Sequence, residues 1–266
     1  MSRTPTDLNA VLIIGASSGI AKALIEEVLA DDSTTRVIAI SRGRPEGELA
    51  ENFDSSGRGA WLSCDYTESS MLAVVAQVQD RLDAWGAALT KITICNGRLH
   101  SEEFSPEKRI EELNSATLHA VFDSNAVVPA LWLKALKPLL RGQFRGELKN
   151  RVPLPIAVLS ARIGSIADNG KGGWYAYRAS KAALNMLLKT SAIEYQRSLP
   201  GLRFIAFHPG TTDTPLSEPF QRAVPEGKLF TPQYVAQCLL KCLNEAAAET
   251  HAEARFVAYD GSSIPW

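Results

Sequence analysis

A doubly wound α/β fold is what the sequence predicts: one domain, a mostly parallel seven-stranded sheet, and helices on both faces. Three observations predict it. Short apolar runs alternate with helical patterns throughout, the order that a parallel sheet with crossover helices requires. The first run ends in a glycine-bearing turn that opens into a helix. The 266 residues, 45% of them hydrophobic, suffice for one sizeable core, and no repeat or linker divides them.

Taken in order, residues 10–14 are a continuous, β-rich apolar run ending at Gly15, which reads as a buried parallel strand. A turn, Gly15-Ala16-Ser17-Ser18-Gly19-Ile20-Ala21, leads into a helical stretch to Ala30. Strand, glycine turn and helix are the context that a dinucleotide-binding loop requires, and the spacing Gly-x-x-x-Gly-x-Ala, not Gly-x-Gly-x-x-Gly, is equally that of a plain βα turn. Gly15 permits the tight turn, Gly19 a close backbone approach to phosphate, and the helix N-terminus offers unpaired N–H groups to an anion. Residues 36–41 form a second strand and 60–64 a third. Thr67 is placed to cap a helix over 68–85, where Leu72, Val75, Val78 and Leu82 keep helical spacing. A fourth strand, 92–95, ends at Asn96-Gly97. Residues 98–115 are mostly polar, and 116–140 read as one long helix with Pro129 inside it.

Residues 141–155 are basic, punctuated by Gly and Pro, and read as a surface loop. A fifth strand covers 156–160, followed by a glycine-rich connection and a helix to about residue 199. Residues 203–207 are a sixth strand, 208–215 a loop, and 217–230 a mobile segment with Pro219, Pro225 and Gly227. A helix over 232–248 and a last strand over 255–259 complete the alternation, while 1–9 read as a flexible start.

Net charge is −1, which points to no nucleic acid and no anionic membrane surface. No apolar run reaches the ~18–20 residues that span a bilayer. The start is polar and lacks a signal-peptide core, so a cytoplasmic location is expected. Cys64 and Cys95 fall in apolar runs, while Cys238 and Cys242 stand four apart on a helix. No zinc spacing appears, and all four read as reduced thiols, with no metal site.

The chemistry concentrates in Trp174-Tyr175-Ala176-Tyr177-Arg178-Ala179-Ser180-Lys181. On a helix, Tyr177 and Lys181 share one face, with Cβ atoms about 5–6 Å apart. A neighbouring ammonium favours the phenolate and lowers the phenol pKa from about 10, making a tuned proton donor and acceptor. Asn125 sits among Val121, Phe122, Val127 and Val128, where an amide needs partners. At the end of the second strand an acid would bind the ribose 2′-hydroxyl of NAD. The sequence has Ser41-Arg42 there, and a guanidinium suits the 2′-phosphate of NADP.

Together and in this order, these landmarks resemble the short-chain dehydrogenase/reductase family over essentially the whole chain. The first loop is similar to that family's Thr-Gly-x-x-x-Gly-x-Gly turn, with Ile14 for the Thr and Ala21 for the last Gly. The resemblance places Gly15, Ser17, Ser18, Gly19 and Ile20 on NADP(H), and matches Asp65 to the acid that contacts the adenine amine. Cys95-Asn96-Gly97 stands where the family has Asn-Ala-Gly, so Asn96 and Gly97 are expected to support the cofactor pocket. Asn125, Tyr177 and Lys181 match three members of a catalytic tetrad. Tyr177 and Lys181 also touch the cofactor, and Asn125 would hold a water linking Lys181 to solvent. The loop with Pro209, Gly210, Thr212 and Thr214 resembles the Pro-Gly-x-x-x-Thr segment over the nicotinamide. The stretch from Gly172 to Asn185 and the final residues look most like the carbonyl-reductase and C-factor branch.

The tetrad serine is the open member. In Ser160-Ala161-Arg162-Ile163-Gly164-Ser165, alignment on Gly164 puts Ala161 at the catalytic place. Ser160 and Ser165 flank it as candidates, beside the third alternative that no serine serves. Tyr175 has Ala179 four residues on and no base, so it is expected near the substrate pocket. The implied function is NADP(H)-dependent interconversion of a carbonyl and an alcohol on a small, apolar substrate. The alternative is a signalling protein that binds nucleotide with little turnover. Relatives of this kind associate through the helices carrying Asn125 and Tyr177, which implies a homodimer or homotetramer.

Overall fold

The structure, a computed structural model, describes residues 8–31, 34–44, 47–144, 153–249 and 253–266. Within them the strands are β1 (Leu8–Ile14), β2 (Arg36–Ser41), β3 (Gly59–Ser63), β4 (Ala87–Ile94), β5 (Leu154–Leu159), β6 (Leu202–His208), β7 (Thr211–Thr212), β8 (Leu229–Phe230) and β9 (Arg255–Ala258). The α-helices are α1 (Gly19–Asp31), α2 (Glu48–Ser55), α3 (Glu68–Trp85), α4 (Ser115–Phe122), α5 (Val128–Gln143), α6 (Tyr175–Ser198) and α7 (Pro232–Ala248). Seven strands make one sheet in the order β3-β2-β1-β4-β5-β6-β9, and β7 pairs with β8 apart from it. Every pairing between these strands is parallel. This is the doubly wound α/β fold that the alternation predicts. The order reverses between β1 and β4, and ligand crevices open at such a switch, beyond the strand C-termini.

Side chains alternate across the sheet, so each strand feeds two cores. Leu12, Ile94, Val158 and Phe204 pack with apolar residues of α3, α5 and α6 on one face. Ile13, Ala157, Ile205 and Phe207 pack with residues of α1 and α7 on the other. Both faces are covered, which is why the strands read as unbroken apolar runs. Thr67 accepts the Ser70 N–H at 3.3 Å and starts α3, and Gly86, at φ 60°, ends it.

Four expectations change. Helix α2 was not anticipated: it has eight residues, and among those whose burial is described only Phe53 is a fully buried large side chain, too thin a pattern to register as periodic. The long helix expected over 116–140 is two helices joined by one π turn, Asp123–Val127. Pro129 has no N–H to offer the carbonyl four residues back, which is that of Asn125. The Val128 N–H bonds instead to the Asp123 carbonyl, five residues back, and the turn widens. The segment 217–230, expected to be mobile, carries a 3-10 turn, Glu218–Ala223, and strand β8. The surface loop expected over 141–155 is shorter. Helix α5 continues to Gln143 and β5 begins at Leu154, and 145–152 lie outside the described residues, as do 1–7 of the expected flexible start. Cys64, Cys95, Cys238 and Cys242 are free thiols, and among the described residues no helix is long and apolar enough to cross a membrane.

Candidate active site

Helix α6 begins without a side-chain cap of its own. Its N-cap, Trp174, sits at φ 53°, in the left-handed region that disfavours a bulky side chain. Glu107, from the loop after β4, supplies what is missing. Its carbonyl accepts the Trp174 N–H at 2.5 Å, and its carboxylate Oε2 accepts the Ala176 N–H at 3.2 Å. A buried carboxylate here meets the positive end of the helix dipole, one residue before Tyr177. Sequence reasoning missed Glu107 because it lies 69 positions away in a polar stretch with no pattern. Replacing Glu107 with Ala is expected to destabilise the fold by about 1–2 kcal/mol. Gln, whose amide oxygen still accepts, should lose less. Urea titration of both variants checks the order.

The helix then sets Tyr177 and Lys181 on one face. Both are buried, and the Lys181 ammonium lies 5.9 Å from the Tyr177 ring centre. Lys181 Nζ donates to the Leu159 carbonyl at 2.8 Å, which ties α6 to the end of β5. The lowering of the Tyr177 phenol expected from Lys181 does not appear. Burial instead pushes the phenol above its ordinary range. Burial also pushes Lys181 down to about 7, so near neutral pH its charge is only partly present to support a phenolate.

Ser180, between them, is a positioning residue that sequence reasoning missed. Its Oγ donates to the Tyr177 carbonyl at 2.9 Å and accepts from Asn125 Nδ2 at 2.9 Å. Asn125 is fully buried on the π turn. Its Oδ1 accepts the Arg98 N–H at 2.7 Å, and Nδ2 also donates to the Arg98 carbonyl at 2.8 Å. The side chain expected to hold a water therefore clamps the loop after β4 to α6.

Ser160 Oγ donates to Asn185 Oδ1 at 2.6 Å, on the α6 side of the sheet. Ser165 Oγ donates to the Pro265 carbonyl at 2.5 Å, and Ser165 lines a different cavity from Tyr177. Ala161 is the residue that packs in the cluster around Tyr177, with Leu99, Val121 and Ala176. Ser160 lines the cavity with Tyr177 while its hydroxyl donates to Asn185, and Ser165 lines the second cavity. Tyr175, expected near the substrate pocket, lines the second cavity with Ser165.

Tyr177 opens on a cavity of about 740 Å³. Its apolar wall includes Leu99, Ile163, Trp174, Leu216, Phe220 and Val224. Ile20, Ser160, Pro209, Gly210, Thr212 and Thr214 line it as well, so the first loop and the loop after β6 meet there. Gly19 is in close contact with Thr214: a Cβ on Gly19 would fall 2.9 Å from the Thr214 methyl. Gly15, at φ +76°, passes so near the end of β4 that a Cβ would lie 2.9 Å from the Asn96 nitrogen. Ser18 Oγ accepts the Ala21 N–H at 3.3 Å and caps α1, while Ser17 is exposed beside it. Asn96 Oδ1 is buried without a hydrogen-bond partner among the described residues, and a Cβ on Gly97 would lie 3.8 Å from both Asn125 Oδ1 and Lys181 Nζ.

The other predicted contacts lie along the same edge. Arg42 is exposed, with its guanidinium 6.0 Å from the Tyr66 ring centre. Asp65 Oδ1 accepts from the Thr67 N–H at 2.9 Å and from its hydroxyl at 2.8 Å, bonds that hold the carboxyl below its usual value. A glycine loop at a helix N-terminus, an unpaired buried amide oxygen and an exposed guanidinium at the end of β2 fit a phosphorylated dinucleotide.

A family model described as short chain dehydrogenase matches residues 9–224. A 1-hydroxy-2-glutathionyl-2-methyl-3-butene dehydrogenase from Rhodococcus sp. (strain AD45) is 26% identical over 97% of this chain and 100% of its own length. The C-signal protein of Myxococcus xanthus is 31% identical over 58% of this chain and 82% of its own. Among solved structures, the NADPH-bound carbonyl reductase from chicken fatty liver superposes with a TM-score of 0.77 at 23% identity, over 97% of this chain and 99% of that one.

Proposed function

The chain belongs to the short-chain dehydrogenase family, and on that premise we propose that it interconverts a carbonyl and an alcohol with NADP(H), with Tyr177 carrying the proton. The observation that carries this reading is the buried Tyr177–Lys181 pair on one face of α6, with Tyr177 lining the crevice beyond the sheet. In the reducing direction, carbonyl, NADPH and a proton give alcohol and NADP⁺. NADPH supplies the hydride when bound. Gly15, Ser17, Ser18 and Gly19 would hold its phosphates, Arg42 its 2′-phosphate, and Asp65 its adenine. Asn96, Gly97 and the loop of Pro209, Gly210, Thr212 and Thr214 would line its other end.

Tyr177 gives its proton to the developing alkoxide. A raised phenol pKa keeps that proton in place until charge develops on the substrate oxygen. Lys181, with a pKa near 7, returns protons to the site at working pH. The apolar wall excludes water and selects a small, largely apolar substrate. NADP(H) is favoured over NAD(H) because Arg42 stands where NAD binding wants an acid.

The test is NADPH oxidation against a panel of aldehydes, ketones and quinones, repeated with NADH. Turnover is expected for part of the panel, with kcat/KM favouring NADPH. Arg42→Ser should lower that preference by about tenfold, the loss of one charge-assisted contact. An unchanged ratio in the variant would remove Arg42 from cofactor selection. The hydroxyls of Ser160 and Ser165, both bonded to other partners, favour a second reading, a nucleotide-binding signalling protein. Tight NADPH binding with no turnover across the panel would select it.

A further inference from the structure

The turn after β3 is Asp65-Tyr66-Thr67, closed by the two hydrogen bonds that Asp65 Oδ1 accepts from Thr67. Tyr66 sits in it at φ 71°, and with Trp174 it is one of two residues other than glycine that hold a positive φ among the described residues. A bulky side chain avoids that region, and such strain persists where the surroundings fix it, most often at a functional site. Three contacts fix this ring. It meets the Trp132 ring edge-on at 6.2 Å, it packs half-buried against the core, and the Asn96 side chain hydrogen-bonds its hydroxyl. Asn96 follows β4, so the Tyr66 side chain links the ends of β3 and β4.

Arg42, just past the end of β2, stands over this ring with its guanidinium 6.0 Å from the centre. The backbone beneath it is held from β3. Ser63 Oγ donates to the Arg42 carbonyl at 3.1 Å. Trp61 Nε1 donates to Ser41 Oγ at 3.0 Å, and that hydroxyl donates to the Gly43 carbonyl at 2.5 Å. Arg42 is exposed, and among the described residues no carboxylate pairs with it. An aromatic face attracts a guanidinium without using its N–H donors, which stay available to a ligand. A carboxylate partner would occupy those donors and neutralise the charge. A long exposed side chain loses rotamer freedom when it grips a phosphate, and a ring that already holds it lowers that cost.

We propose that Tyr66 is a positioning residue for cofactor choice: its ring holds the Arg42 guanidinium in place at the crevice edge for the 2′-phosphate of NADP(H). This rests on the NADP(H) reading of the same site. The experiment measures binding and not turnover. Calorimetry gives Kd for 2′,5′-ADP, which carries the 2′-phosphate, and for 5′-AMP, which lacks it. The proteins are the wild type, Tyr66→Leu, Tyr66→Phe, Arg42→Ser and the double variant of Arg42→Ser with Tyr66→Leu.

The wild type is expected to bind 2′,5′-ADP at least about tenfold more tightly than 5′-AMP. Tyr66→Leu should weaken 2′,5′-ADP by about two- to fivefold, the loss of one exposed cation–π contact, and leave 5′-AMP unchanged. Phe keeps the ring and drops the hydroxyl, so it should keep the preference. In the Arg42→Ser background, Tyr66→Leu should cost nothing further, because the two residues act as one unit. An equal loss for both nucleotides assigns Tyr66 to the adenosine or to the fold and overturns the proposal. A Phe variant as weak as Leu assigns the effect to the Asn96 bond and overturns it too. A preference that survives in Tyr66→Leu, or losses that add in the double variant, overturn this proposal alone. A wild type that binds the two nucleotides equally overturns the NADP(H) reading and this proposal with it. Should urea titration show Tyr66→Leu unfolded, Tyr66→Asn repeats the cycle, since Asn tolerates the left-handed backbone and has no ring.

Discussion

Tyr177→Phe is expected to lower carbonyl turnover by about 10²–10⁴-fold, the usual contribution of a positioned acid–base group. The ring stays, so the packing of Tyr177 with Leu99, Val121 and Ala176 is kept and only the hydroxyl goes. The Trp174 ring, 6.3 Å from that of Tyr177, keeps its edge-on contact as well. NADPH binding should change by no more than about two-fold, because the hydroxyl contributes to the transition state more than to the ground state. Single-turnover rates and fluorescence titration of the same preparation separate the two quantities. Full activity in the Phe variant would refute the assignment.

Lys181→Met is expected to abolish most turnover and to change how stability depends on pH. Burial lowers Lys181 from its ordinary 10.5 to about 7. Between those values the unfolded chain binds a proton that the native chain has released, so stability rises with pH across the window. Below about 7 both states are protonated, and the native state carries the whole penalty of a buried charge. Cys95, raised by burial to about 12, acts with the opposite sign from its ordinary value of 9 upward. The rise is therefore cleanest from pH 7 to 9. The Met variant keeps the length of the side chain without the charge. It should flatten that rise and be more stable than the wild type at pH 6. Urea unfolding at pH 6, 7.5 and 9 reads both effects, and parallel curves for the two proteins would disprove them. At lower pH a similar slope is expected from His208, held at about 4, with stability climbing between pH 4 and 6.5.

The order of elements was legible because burial on both faces writes itself into the strands. Val11 to Ile14 and Ile156 to Leu159 are apolar without interruption since helices cover both sides. Tyr177, Lys181 and the Gly15–Gly19 loop were legible because their spacing is local, four residues in each case. Helix α2 was hidden by its shortness, and the π turn by the reading of Pro129 as a mere passenger in one helix.

What the sequence determined alone was the mostly parallel sheet and the residues whose meaning lies within one turn of backbone. Only the tertiary structure decided the rest. It showed that a distant carboxylate, Glu107, caps the helix bearing Tyr177, and that Asn125 clamps the Arg98 backbone. It bonded Ser160 to Asn185 and Ser165 to Pro265. It also reversed the expected shift of Tyr177, because burial acts on phenol and ammonium together. The physical reason is common to all four. Hydrogen-bond partners and dielectric surroundings depend on which distant residues arrive at a point in space, and one-dimensional spacing carries no record of that.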